Sequence, residues 1–251
     1  MKKRLMHLIA GVTMFVLLLS VCTTTTNAAV IWSDDFEGGL GDWTIFAYED
    51  EYSLVTIEGN FTDAEGTLKV LDDDMNFARH SSTVNVGTWS FDMFVPDNEL
   101  SGYAMYVYFM SNGSRQIPTF ANYFVGVGVW AHPAPSFIVW TMNGLISNVE
   151  STINIDPIQG WHHIDVSRTS DGNFYVFVNG TFEANFTSNA VTSSTYLEFY
   201  CYRATGAAID NLVVDDTVKM PSTPLSWELI IIGSVVTVVV IALTIVFLRR
   251  R

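Results

Sequence analysis

Residues 160–187 read GWHHIDVSRTSDGNFYVFVNGTFEANFT, and the fold prediction starts from them. The first part of the stretch alternates in polarity, which places Ile164 and Val166 on the same face of a strand. A turn over residues 169–173 follows. An apolar run then leads to Asn179-Gly180, a pair that tolerates the positive φ angles of a tight hairpin turn. The stretch therefore predicts three consecutive antiparallel strands.

The same strand pattern recurs through the chain between residues 30 and 224. Alternating or continuous apolar runs of strand length occupy residues 89–95, 103–110, 123–129 and 137–141. Gly, Asn, Asp, Pro and Ser separate these runs, and none of them has the period of a helix with caps. Many short strands without intervening helices predict an all-β, antiparallel sandwich.

The three-strand stretch resembles the core of concanavalin A-like (laminin G-like) jelly rolls, where W-H-x-x-x-V-x-R is followed by F-x-V-x-V-N-G. Residues 34–43 resemble the first strand and turn of that group, and residues 208–214 resemble its last strand. Together the resemblance covers nearly all of residues 30–216. It implies a jelly-roll fold and a glycan or glycoprotein partner, since relatives include lectin-like modules, adhesion domains and glycoside hydrolases.

The N-terminus has the pattern of an export signal. Lys2, Lys3 and Arg4 precede an uncharged apolar stretch, which ends in small and polar residues. This order predicts a signal peptide over residues 1–29, cleaved at Ala28 or Ala29. An uncleaved membrane anchor is the alternative.

The C-terminus has the pattern of a membrane span. Residues 229–248 contain no charge, and a helix of that length crosses roughly 30 Å. Trp227 stands at its entry, and three arginines at 249–251 mark the cytoplasmic side. We therefore expect an extracellular sandwich over residues 30–218, a linker over 219–226, a single transmembrane helix over 227–248 and a cytoplasmic basic stop. A buried core helix is the alternative to the span.

The region between residues 30 and 224 is strongly acidic. It holds six of the 12 basic residues and 25 of the 26 acidic residues, a net charge of −19. Such a charge disfavours nucleic acid and anionic surfaces as partners, and it favours solubility and cation binding. After signal cleavage only Cys201 remains, so the mature chain cannot form an intramolecular disulfide, and alternation predicts that Cys201 is buried.

Calcium is the cofactor that the resemblance implies. In related jelly rolls a structural calcium often joins the first strand to the last, and the matching acids here are Asp35, Glu37 and Asp210. Oxygen ligands from carboxylates suit calcium. Members of the group without metal share the same motif shape.

Aromatic residues on strands indicate where a glycan would bind, because sugar C–H surfaces stack on aromatic faces. The predicted ligand-binding residues are Trp130, His132, Trp140 and Tyr106. Gly126 and Gly128 are expected to leave a shallow trough that leads to Trp130. Trp43, Trp89 and Trp161 are assigned to the core.

The sequence contains none of the catalytic motifs we considered. There is no E-x-D-x-x-E strand of the glucanases of this superfamily, no H-E-x-x-H and no G-x-S-x-G. We therefore predict no catalytic residues and no enzymatic activity. The expected function is a membrane-anchored surface module that binds extracellular glycans or glycoproteins. A structural component of the cell envelope and a membrane-tethered hydrolase are the alternatives.

Four N-x-S/T sequons lie in the exported part of the chain. They are predicted glycosylation sites at Asn60, Asn112, Asn179 and Asn185.

Overall fold

A computed structural model describes residues 28–50, 53–56, 61–62, 66–71, 75–97, 102–112, 122–131, 135–144, 146–155, 158–189 and 191–221. These residues form sixteen strands: β1 (Val30–Asp34), β2 (Thr44–Asp50), β3 (Ser53–Thr56), β4 (Phe61–Thr62), β5 (Leu68–Val70), β6 (Met75–Ser81), β7 (Gly87–Val95), β8 (Ala104–Ser111), β9 (Asn122–Ala131), β10 (Pro135–Gly144), β11 (Ile146–Ile153), β12 (Gly160–Arg168), β13 (Asn173–Val178), β14 (Thr181–Thr187), β15 (Tyr196–Tyr202) and β16 (Ala208–Asp215).

The strands form two eight-stranded sheets, and every paired strand is antiparallel to its neighbour. Sheet A has the order β14-β13-β12-β7-β16-β5-β4, with β1 also paired to β16. Sheet B has the order β11-β10-β9-β8-β15-β6-β2-β3. The predicted all-β antiparallel sandwich is confirmed. Within the described ranges no helix is long and apolar enough to cross a membrane. Residues 1–27 of the predicted signal peptide, residues 222–226 of the linker, the predicted span over 227–248 and the basic stop lie outside those ranges.

The core lies between the two sheets and is built from the alternate residues that face inward. Trp89 of β7 is fully buried, and its ring centroid lies 5.3 Å from that of Phe109 on β8. Trp43 is buried as predicted, and its indole N–H donates to the Asp34 carboxylate at 2.8 Å. Cys201 is also buried, as expected, and burial raises the pKa of its thiol.

The hairpin predicted from Asn179-Gly180 is present. Strand β12 pairs with β13, and β13 pairs with β14. Asn179 and Gly180 have φ angles of 51° and 77°, as a tight primed turn requires.

The assignment of Trp161 to the core was wrong. Its side chain is 49% exposed and packs on Phe94, with ring centroids 5.3 Å apart on the outer face of sheet A. The reason is strand alternation: Ile164 is fully buried, so residues an odd number of positions away point outward.

Candidate functional site

The outer face of sheet B carries a continuous group of aromatic side chains, which we call the aromatic face. Strands β8, β9, β10 and β15 are neighbours in the sheet, and each directs one set of alternate residues into the core and the other set outward. The outward set is unusually aromatic. Its aromatic members are Tyr106, Tyr108, Phe124, Trp130, Trp140, Tyr200 and Tyr202.

Two glycines of β9 make room for two of these rings. In the β8–β9 register Tyr106 lies opposite Gly128, and Tyr108 lies opposite Gly126. A Cβ added to Gly126 would stand 2.4 Å from the Cδ1 atom of Tyr108, and one added to Gly128 would stand 2.7 Å from the Cδ1 atom of Tyr106. The expectation of an open trough over the glycines was therefore wrong, because the tyrosine rings fill it.

A cavity of about 290 Å³ opens on the aromatic face. Trp130, 44% exposed, and Val149 are the exposed members of its lining, whereas Tyr106 and Ala104 are buried. The complete lining is Gly102, Ala104, Tyr106, Trp130, Trp140, Val149, Tyr200 and Tyr202. The exposed part of the cavity is thus apolar, and its buried part includes the aromatic ring of Tyr106.

The rings pack closely enough to fix each other's orientation. The Tyr106 ring lies 5.3 Å from that of Trp140, tilted by 57°, and 6.0 Å from that of Tyr200, nearly parallel at 16°. Phe124 supports the group from one side: its centroid lies 4.2 Å from Tyr108 and 5.1 Å from Trp140. Packed aromatic rings of this kind form a rigid apolar surface.

Hydroxyl groups give this surface a polar component. Burial raises the pKa of the Tyr106 phenol, and the neighbouring Tyr200 raises it further. Tyr106 is therefore neutral at physiological pH, so its hydroxyl can both donate and accept a hydrogen bond. None of the eight lining residues carries a formal charge. Chemically, the cavity can stack on an apolar face of a ligand and hydrogen-bond to its hydroxyls.

A buried ion pair lies beside the cavity on the same sheet. Glu198, two residues before Tyr200, has a fully buried side chain and accepts from the Arg79 guanidinium at 2.6 and 2.7 Å. Ser111 donates its hydroxyl to the other carboxylate oxygen at 2.7 Å. The Arg79 guanidinium also lies over the ring of Tyr196, 4.6 Å from its centroid. Both oxygens of the buried carboxylate are thus hydrogen-bonded, as a buried charge requires.

Three of the four predicted ligand residues come together in this cavity: Tyr106, Trp130 and Trp140. His132 lies outside the described residues. Sequence reasoning missed Tyr200, Tyr202 and Val149. The signal for the two tyrosines was available, because they alternate with the inward residues Leu197, Phe199 and Cys201.

The predicted metal ligands are only partly assembled. Burial raises the pKa of Asp210, and repulsion from Asp92 and Asp35 raises it further, so these carboxylates lie near one another. The Glu37 carboxylate lies against Gly66, where an added Cβ would stand within 2.8 Å of its carboxyl carbon. Among the described residues, no three His, Cys, Asp or Glu side chains are arranged to hold a metal ion. Mutual repulsion between carboxylates would favour a cation here, and calcium stays a prediction.

The sequons differ in their surroundings. Asn179 is held in its hairpin, because its side-chain oxygen accepts from the His163 N–H at 3.0 Å. Asn185 is exposed on β14, and Asn112 is half-buried. Asn60 lies outside the described residues.

Comparison with known proteins gives matches at the level of structure alone. No protein-family model matches the chain, and no curated protein matches it. The globular domain of T. cruzi calreticulin is similar over 76% of this chain and 89% of its own, with 10% identity and a TM-score of 0.56. A Bacillus licheniformis β-glucanase is similar over 78% of this chain and all of its own, with 12% identity and a TM-score of 0.53.

A third similar structure comes from work on endo-acting O-glycanases with which members of the human gut microbiota initiate mucin breakdown. It covers 75% of this chain and all of its own, with 12% identity and a TM-score of 0.56. Another is an endo-β-1,3(4)-glucanase of family GH16, with 11% identity and a TM-score of 0.55. At such identities the likeness establishes the fold.

These neighbours correct the prediction that the chain is not an enzyme, which was wrong. Endo-glucanases are built on the fold that this chain adopts. The prediction relied on missing sequence motifs, above all the E-x-D-x-x-E strand, but carboxylates that act together can come from different strands of a sheet. The absence of that motif therefore does not exclude glycan hydrolysis.

The described domain has two antiparallel sheets, an aromatic outer face on one of them, and the strand arrangement of β-glucanases and the calreticulin globular domain. It is a concanavalin A-like jelly roll.

Proposed function

We propose that this protein is a membrane-anchored, cell-surface module that recognises neutral glycans through the aromatic face of sheet B. The observation that carries the proposal is the cavity of about 290 Å³ between Trp130, Trp140 and Tyr106. Its size lies at the lower end of small-ligand sites and suits one or two sugar rings at a time. Glycan-active proteins among the structural neighbours support the same ligand class.

The chemistry of the lining favours sugars over other ligands. Trp130 presents an exposed ring on which the C–H face of a sugar can stack, and three tyrosines line the same cavity. An amphipathic ligand with one apolar face and several hydroxyls meets both requirements.

Charge favours neutral over acidic glycans. The eight lining residues are uncharged, and the region over residues 30–224 has a net charge of −19. Anionic sugars would therefore be repelled at long range. The Arg203 guanidinium lies 5.2 Å from the Tyr202 ring centroid at the edge of the face, so a test must include acidic glycans as well.

Membrane attachment completes the proposal. It rests on the apolar segment over residues 229–248 and the three arginines that follow it. With the signal peptide at the other end, this arrangement would display the jelly roll outside the cell, for adhesion or capture.

A panel of immobilised oligosaccharides tests the proposal, with the full chain in detergent micelles as the probe. Neutral glucans and mucin-type neutral glycans should bind, and sulfated, uronate-containing and sialylated ones should bind more weakly. Equal or stronger binding to the acidic set would contradict the neutral class. Binding to no member of the panel would contradict glycan recognition.

A second candidate function is hydrolysis of the bound glycan. Glu198 favours it, because this buried carboxylate is paired with Arg79 on the sheet that carries the aromatic face, two residues from Tyr200. Hydrolysis requires a second carboxyl group at about 5–9.5 Å across the scissile bond. Release of new reducing ends from each glycan that binds, measured over hours, distinguishes an enzyme from a module that only binds.

A further inference from the structure

The chain does not leave the domain where β16 ends at Asp215. Residues 216–220, which we call the strap, turn over the outer face of sheet A. The strap begins at a local turn, in which the hydroxyl and N–H of Thr217 donate to the Asp215 carboxylate at 2.6 and 2.8 Å. The carbonyl of Thr217 then accepts from the Thr88 hydroxyl of β7 at 2.7 Å. The strap therefore crosses the sheet from β16 onto β7.

Lys219 continues the crossing over β12. Its backbone N–H lies 3.1 Å from the Ser167 hydroxyl and 3.3 Å from the Thr88 hydroxyl. These two hydroxyls are themselves hydrogen-bonded at 2.7 Å. Further along, the Lys219 ammonium lies 4.8 Å from the Phe177 ring centroid on β13. Four strands in order thus lie beneath the strap, about 14 Å across at the usual strand spacing.

The strongest contact of the strap is the ion pair between Lys219 and Asp165. The Asp165 carboxylate is buried and also accepts from the Ser90 hydroxyl at 2.6 Å. The Nε2 atom of His163 lies 3.3 Å from the Asp165 oxygen that accepts from Ser90, and its Nδ1 atom lies 2.7 Å from the Asp92 carboxylate. A buried carboxylate needs a cation close by, and the strap supplies one.

The strap is nevertheless held weakly enough to be released. The Lys219 side chain is 43% exposed, so its ion pair is partly screened by water and salt. The side chain of Met220, the last residue of the strap, is also exposed. Few buried apolar contacts and a handful of hydrogen bonds are typical of segments that open locally without global unfolding.

We propose that the strap is a releasable clasp that sets the length of the tether between the jelly roll and the predicted membrane span. This rests on the membrane anchor in the proposed function. With the strap docked, residues 221–226 alone separate sheet A from the span at 227, a reach of about 20 Å at most. With the strap released from residue 216, eleven residues reach about 36 Å. The docked clasp keeps sheet A within about 20 Å of the membrane.

Trypsin cleavage tests the clasp directly. Lys219 is the sole lysine or arginine between Arg203 and Arg249, so cleavage after it separates the domain from the C-terminal segment. A protease must draw the Lys219 side chain into its own pocket, which requires release from Asp165. We expect Asp165→Asn to raise the rate of cleavage after Lys219, relative to cleavage after Arg203, about fivefold. Full-length chain in detergent micelles is used, and mass spectrometry separates the two products.

Asp171→Asn is the matched control. Asp171 is an exposed carboxylate in the turn between β12 and β13 of the same sheet, and its replacement should leave the cleavage ratio unchanged. An unchanged ratio in Asp165→Asn, with thermal melting that shows a folded domain, would overturn the clasp. Equal acceleration in both variants would overturn it as well.

Salt provides a test that needs no variant, in case Asp165→Asn does not fold. Raising sodium chloride to about 0.5 M screens the ion pair on the exposed side of Lys219, and it should increase the Lys219-to-Arg203 cleavage ratio of the natural chain. A ratio independent of salt would overturn the proposal. Flotation of uncut chain with liposomes reports the anchor separately: a chain that does not float refutes the membrane attachment, and with it the tether, while the cleavage ratio still reports strap docking.

Discussion

The ring of Tyr106 lies across Gly128 of the neighbouring strand, and the backbone of β8 lies closer still. A Cβ added to Gly128 would stand 2.0 Å from the Met105 carbonyl oxygen and 2.6 Å from the Tyr106 Cα atom. The glycine is required because two backbones and a ring meet there. The aromatic face therefore depends on Gly126 and Gly128 of β9, which leave room for the tyrosine rings of β8.

Gly128→Ala should destabilise the domain severely, because the added methyl group clashes with backbone atoms that cannot move independently. We expect a loss of about 2–3 kcal/mol or more, typical of overpacking in a well-packed region. Gly38→Ala is the control, since no heavy atom lies within 4 Å of a Cβ at that position. Thermal melting of the two variants checks the prediction, and similar melting temperatures would contradict it.

A buried and a half-exposed tryptophan should respond differently to truncation. Trp89→Ala removes a fully buried ring and should cost about 3–5 kcal/mol. Trp161→Ala removes a half-exposed ring that packs on Phe94, and should cost about 0.5–1.5 kcal/mol. Denaturant unfolding gives both free energies, and equal losses would mean that Trp161 is a core residue after all.

The strand pattern of the chain was readable from the sequence because inward side chains alternate with outward ones, as in residues 160–187. The hairpin at Asn179-Gly180 was readable from backbone chemistry alone. The exposure of Trp161 was missed because residue type was given more weight than alternation. The filling of the glycine trough was not readable, since it depends on the register that sets Tyr106 opposite Gly128.

Acid should weaken the domain through Asp165. Burial alone would raise the pKa of this carboxyl, but hydrogen bonds from Lys219 and Ser90, with the charges of Lys219 and His163, lower it below its usual value. A pKa that is lower in the folded domain than in the unfolded chain stabilises the domain fully at pH values above the unfolded pKa. This stabilisation is lost below about pH 4, as the pH falls through the folded pKa. Asp165→Asn should therefore reduce the loss of melting temperature below pH 4. An unchanged acid profile would contradict this.

Asp210 should act in the opposite direction. Its pKa is raised by burial and by repulsion from Asp92 and Asp35, so its ionised form is less stable in the folded state. The free energy of unfolding therefore increases as the pH falls through the pKa of Asp210 in the folded domain, which lies above about 4. Asp210→Asn should remove that rise, which melting curves between pH 7 and pH 4 would show. The opposite shift would mean that the carboxylate has a cationic partner.

Calcium is the partner predicted for Asp35, Glu37 and Asp210. If it binds there, chelation should lower the melting temperature of the full chain in micelles, and calcium at about a hundredfold excess over Kd would add about 2.7 kcal/mol. Asp210→Asn should abolish the difference between calcium and chelator. Identical melting curves in both conditions for the natural chain would remove calcium from the account.

The central claim is that the aromatic face binds glycans through Trp130, and titration calorimetry of one variant tests it most directly. The exposed Trp130 ring lines the cavity, so Trp130→Ala should keep the melting temperature within a few degrees and weaken binding of a neutral oligosaccharide at least tenfold. Trp161→Ala, with an equally exposed ring on the opposite sheet, should bind like the natural chain. Unchanged affinity in a folded Trp130→Ala variant, or equal loss in both variants, would contradict the claim.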